Sequence, residues 1–178
     1  MDAPLVITVV AKDRPGLVES LAAAFARHGG NWLESRMSRL GGQFAGILRL
    51  TIPPANREKL LADLSSLQAG GLKVTVQADE AVPAAVGGRM AELTLVGQDR
   101  PGIVRQISQA FARGGVNVED LETEITSAPM SGETLFHARA KVSIPAACDT
   151  QALRNELEKI AADLMVDLKL TELSGGSP

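Results

Sequence analysis

The segment Lys12–Asn31, KDRPGLVESLAAAFARHGGN, returns at Gln98–Asn117 as QDRPGIVRQISQAFARGGVN. Asp13 and Asp99 lie 86 positions apart, and the register holds without a gap to Asn31 and Asn117. Within it Arg14, Pro15, Gly16, Val18, Ala24, Phe25, Ala26, Arg27 and Gly29 each recur at the same offset. A repeated turn and helix divide the 178 residues into two similar units, each large enough for a modest core and small enough to profit from packing on its twin.

Each unit reads strand, helix, strand, strand, helix, strand. LVITVV, residues 5–10, is a β-branched run of strand length that leads into the Asp-Arg-Pro-Gly turn. Pro15 suits the first position of a helix, where its missing N–H is not needed, and pushes Arg14 out of the helical region. Leu17, Leu21 and Phe25 then recur every fourth residue, with Val18 and Ala24 beside them, as one apolar stripe that stops at Gly29 and Gly30. Ile103, Ile107 and Phe111 repeat it. Gly41 and Gly42 mark a hairpin into FAGILRLTIP, which Pro53 and Pro54 close. Leu60, Leu64 and Leu67 give a second helix, and Leu72, Val74 and Val76 a one-sided strand. The second unit answers with Leu153, Leu157 and Ile160, then Val166, Leu168 and Leu170; its hairpin is six residues longer, around Thr126–Glu133.

This order is the split βαβ pattern of an α+β, ferredoxin-like fold: an antiparallel four-stranded sheet with both helices on one face, built twice. We expect the first unit over residues 1–78, a linker over 79–90, the second unit over 91–173 and a disordered tail over 174–178. The uncovered sheet faces are expected to pack on or extend one another.

Composition narrows the function. The formal net charge is −3, with 18 basic residues scattered among 21 acidic ones, and no basic stripe marks a nucleic-acid surface. The N-terminal apolar run is too short to span a bilayer and lacks the basic start of a signal peptide, so a cytoplasmic chain without a membrane partner is expected. The single Cys148 allows no internal disulfide. His28 and His137 are the only histidines, which argues against a metal centre or a Cys/His nucleophile; His28 reads as a helix C-terminal residue. Trp32 and Phe136 read as core or interface residues. Neither paired catalytic acids nor a Ser/His/Asp set stands out, so an enzyme and a bound cofactor are not expected. The longer hairpin is either a partner-binding loop or a tolerated insertion.

The turn is the best chemical candidate. A helix N-terminus offers unpaired N–H donors and a partial positive charge to an anion, and Gly16 and Gly102 present no side chain to obstruct it. A second reading stays open: Asp13 complements the helix dipole, and Gly16 permits tight helix and strand packing. If the second strand starts near the turn, Asn31 and Asn117 join the site, with carboxylate and carboxamide taking the ammonium and carboxylate of one ligand.

Two units of this pattern, with DRPG after strand one and GGN or GVN before strand two, resemble ACT domains, small amino-acid-sensing regulatory modules, from about Leu5 to Thr171. Tandem units with NWLESRMSRLGGQFAGI after the first helix resemble, more narrowly, the glycine cleavage system transcriptional repressor family. That resemblance implies a cytoplasmic regulator that answers a small amino acid, glycine or serine, and acts through a transcription factor rather than on DNA, with a homodimer as a possible assembly. It implies effector binding where two units meet, at Asp13, Arg14, Gly16 and Asn31 and at Asp99, Arg100, Gly102 and Asn117. Aspartate departs from the asparagine that several sensing members carry in the turn. The alternative is a detached regulatory module of an amino-acid enzyme, of the phosphoserine phosphatase or formyltetrahydrofolate deformylase type.

Overall fold

The structure is a computed structural model and describes residues 2–79, 88–127 and 132–173. The chain divides into two compact units between residues 82 and 83. The first holds β1 (Ala3–Lys12), α1 (Leu17–Arg27), β2 (Asn31–Leu40), β3 (Gln43–Ile52), α2 (Arg57–Leu67) and β4 (Lys73–Ala78). The second holds β5 (Arg89–Gln98), α3 (Ile103–Arg113), β6 (Asn117–Ser127), β7 (Thr134–Ile144), α4 (Thr150–Leu164) and β8 (Val166–Glu172). Both sheets are antiparallel, in the orders β2-β3-β1-β4 and β6-β7-β5-β8. This is the expected α+β, βαββαβ unit, built twice. β5 begins at Arg89, inside the stretch read as linker; residues 80–87 of that linker, the tail and residues 128–131 of the longer hairpin lie outside the described residues.

Strand alternation builds each core. In β1, Leu5, Ile7, Val9 and Ala11 are buried toward the helices, and Leu48, Leu50 and Ile52 of β3 join them. Leu17, Leu21, Ala24 and Phe25 of α1 and Leu60 and Leu64 of α2 cover that face. Val18, assigned by sequence to the same stripe, is 46% exposed, because one residue past Leu17 on a helix is about 100° around the axis. Trp32 sets its ring edge-on against Phe25, centroids 5.5 Å apart. Val118 occupies the Trp32 position in the second unit, and there an apolar hollow of about 30 Å³ opens between α3 and β6, lined by Val104, Val118, Leu121 and Phe136 among others.

The helix ends follow the sequence. After α1, the Gly29 N–H donates to Ala26 O and the Gly30 N–H to Phe25 O, the paired bonds of a Schellman motif. Gly115 and Val116 repeat them after α3 with Ala112 and Phe111. Leu40 pairs with Gln43 across Gly41 and Gly42, both at positive φ, which is the two-residue hairpin the sequence called for.

Candidate functional site

The Asp-Arg-Pro-Gly turns are local structure before they are chemistry. Gly16 sits at φ 90°, ψ 0° and Gly102 at φ 98°, ψ −4°, values of the third residue of a type II turn with proline at the second. Pro15 therefore belongs to the turn and not to the first helical position: α1 starts at Leu17 with Gly16 as its cap residue. A side chain at either glycine would meet nothing within 4 Å, so close packing is not the reason for glycine here. Backbone conformation is, and the space beside it is open.

No side chain caps α1 or α3. The contrast is α4, where Asp149 accepts from the N–H groups of Gln151 and Ala152, each at 3.0 Å. The first-turn N–H groups of α1 and α3 thus lack the side-chain acceptor that α4 has, and Asp13 and Asp99 stand three residues before each cap.

The two turns share a backbone and differ in their partners. Asp13 Oδ2 holds Arg39 Nε at 2.6 Å, an ion pair across from the end of β2. The residue 86 positions after Arg39 is Ile125, 62% exposed, and Asp99 has no ion-pair partner among the described residues. Arg14 donates to Gly70 O at 3.3 Å, tying the turn to the end of the second helical segment, while Arg100 donates to Gln98 Oε1 at 2.9 Å within its own turn.

The asparagines stand elsewhere. Asn31 pairs with Thr51, which pairs with Pro4 at the start of β1; Asp13 follows the far end, its N–H bonded to Gly42 O. Nine residue steps along β1 separate those levels, roughly 30 Å at about 3.4 Å per residue. The expectation that β2 starts beside the turn is therefore wrong: α1 carries the chain back down the sheet, and β2 starts level with the start of β1. Asn117 stands in the same way, level with Ser143 and Met90. Here too the repeats differ, since Asn117 Nδ2 donates to Glu119 Oε1 at 2.7 Å while Leu33 stands 86 positions before Glu119 and accepts nothing.

Sequence reasoning missed Arg39 and Glu119. Both were open to it, because the gap-free 86-residue register runs on into β2 and β6 and shows Arg39 against Ile125 and Leu33 against Glu119. His28 ends α1 as expected and binds across to α2, its Nε2 2.7 Å from Asp63 Oδ2, which Arg27 also grips. Among the described residues, no group of His, Cys, Asp and Glu side chains is placed to hold a metal ion, and no helix is long and apolar enough to cross a membrane.

The ACT domain family model matches residues 3–77 and 92–171. No curated protein matches the sequence. Among solved structures, an unknown protein from Galdieria sulphuraria is 29% identical, with 98% of this chain and 100% of that chain covered and a TM-score of 0.87. A candidate glycine cleavage system transcriptional repressor is 20% identical over 98% of this chain and 99% of that one, TM-score 0.68, a likeness of fold. A formyltetrahydrofolate deformylase from Pseudomonas putida KT2440 shares 18% identity over 46% of this chain and 28% of that one, with a TM-score of 0.40 too low to argue from. Two family matches, one on each unit and each spanning a DRPG turn with an open helix start behind it, make this chain a member of the ACT domain family.

Proposed function

We propose that this protein is an amino-acid-responsive regulator, not an enzyme, that works in the cytoplasm by contact with a partner protein such as a transcription factor, in the manner of the glycine cleavage repressors. The observation that carries the reading is the pair of turns: an aspartate, half-buried at Asp13 and exposed at Asp99, open space beside a positive-φ glycine, and an uncapped helix start, repeated in both units. A free amino acid has charges to match, an ammonium for the carboxylate and a carboxylate for the helix N–H groups. Within one unit the turn and the asparagine are too far apart for one small ligand to touch both. Glycine and serine are the first ligands to try. Glycine has five heavy atoms, and at a ceiling of about 1.5 kcal/mol per atom its dissociation constant is a few micromolar at best.

The test is a thermal-shift screen of the twenty amino acids, followed by calorimetry. A ligand at about 100 times its dissociation constant stabilises the native state by roughly 2.7 kcal/mol, a shift of several degrees in a domain this small. Twenty flat traces at millimolar concentration would remove the amino acid from the reading.

A further inference from the structure

We propose that Arg39 closes the first unit's turn to amino acids, so that the ligand's ammonium is taken by Asp99 and not by Asp13. This rests on the amino-acid reading of the turns and adds which turn is open and what shuts the other. The turn backbones agree within 10° in φ and ψ at Gly16 and Gly102, so backbone geometry does not choose between them. What differs is the occupant. Asp13 already holds a cation, the Arg39 guanidinium, with Nε 2.6 Å from Oδ2. That contact also shows what the carboxylate at this place in the turn is able to grip: a nitrogen cation reaching it from β2. In the second unit the register brings an isoleucine, Ile125, to the same place, opposite Phe136 as Arg39 is opposite Phe44. Asp99 is left with no cation among the described residues. The flanking residue adds to the contrast, Lys12 before Asp13 being replaced by Gln98 before Asp99. An ammonium entering the first turn has to displace Arg39 and meets Lys12; one entering the second meets neither.

Displacing an exposed ion pair weakens a competing ligand by up to about fivefold, which follows from a worth of about 1 kcal/mol at most for such a pair. The repulsion of the displaced guanidinium, still on β2, acts in the same direction. The second turn should therefore bind more tightly than the first, by up to about fivefold.

Amide NMR of the full chain resolves the two turns. On titration with glycine, and separately with serine, the Gly102 and Ile103 resonances should saturate at a lower amino-acid concentration than Gly16 and Leu17, by up to about fivefold. Arg39→Ile should bring the Gly16 midpoint down to that of Gly102. Ile125→Arg, at a largely exposed position, should raise the Gly102 midpoint by up to about fivefold. Equal midpoints in the unaltered protein, or midpoints that ignore both exchanges, would overturn the role of Arg39 while leaving the turns as amino-acid sites. If neither turn responds to either amino acid, the functional reading falls and this inference falls with it.

Discussion

Asn31 and Asn117 occupy the same step of the same fold, yet of the two only Asn31 has its whole carboxamide free among the described residues. Asn117 gives its N–H to Glu119, and the residue that would do this for Asn31 is Leu33, which has no acceptor. At the turns the imbalance is reversed, Asp13 being paired with Arg39 and Asp99 unpaired among the described residues. Duplication kept the backbone and divided the chemistry. If the carboxamide donates to a bound carboxylate, that hydrogen bond is to a charged group and is worth about 1.5–3 kcal/mol, or roughly 10- to 100-fold in affinity. Asn31→Ala should therefore weaken amino-acid binding by at least about tenfold in calorimetry, whereas Asn117→Ala, which first frees Glu119, should cost less. A larger loss from Asn117→Ala would place the ligand at the other asparagine.

At the scale of elements, periodicity carried most of what was legible. Leu17, Leu21 and Phe25 are buried as their spacing required, Ile52 ends β3 before Pro53, and the six residues added to the second hairpin shift β7 but not its pairing with β5. What escaped was relational. The split βαβ pattern makes β1 and β2 parallel, with β3 antiparallel to both, so that α1 returns the chain and sends Asn31 to the opposite end from Asp13. Cross-element pairs escaped as well: Arg39 with Asp13, and the clasp of Arg27 and His28 at the end of α1 with Asp63 of α2. The second unit keeps part of that clasp, Arg113 with Glu156, and has Gly114 where His28 stands. The hydrogen bond from His28, and then the Arg27 guanidinium, hold the Asp63 carboxyl below its ordinary range against the opposing effect of burial. A carboxyl whose folded pKa is depressed stabilises the fold above its unfolded value, near 3.9, and that contribution is lost as pH falls through the lower folded value. Asp63→Asn should accordingly lower the melting temperature of the first unit at pH 6, and the deficit relative to the unaltered protein should shrink as pH is taken from about 4 toward 2. Calorimetry across that range checks it; a deficit constant with pH would mean the clasp acts by packing and not by charge.

For the whole molecule, the charge distribution bears on whether the proposed regulator would bind DNA itself. Specific DNA binding draws much of its strength from neutralised phosphates and released counterions, which needs lysines and arginines gathered on one surface. Here several arginines are taken up by carboxylates: Arg27 by Asp63, Arg39 by Asp13, Arg113 by Glu156, and Arg49 by both Glu34 and Asp79. β6 goes further, with Glu119, Asp120, Glu122 and Glu124 within one edge strand. A duplex approaching that edge meets repulsion, whereas a protein with a basic face meets attraction that speeds encounter. We therefore expect the purified chain not to retard an operator fragment, with or without glycine, in gel-shift titrations at about 50 and 200 mM salt. A binder that makes 6–10 phosphate contacts loses about 10³–10⁵ in affinity between those two conditions, so direct binding would show itself by its salt sensitivity as well as by its sequence selectivity. Retardation that appears only when a transcription factor is added, and that glycine alters, would agree with an amino acid shifting the arrangement in which the partner is held, as it must if it binds two arrangements unequally. Selective, salt-sensitive retardation by this chain alone would instead make the acidic edge irrelevant and put a DNA-binding surface where the charges give no sign of one.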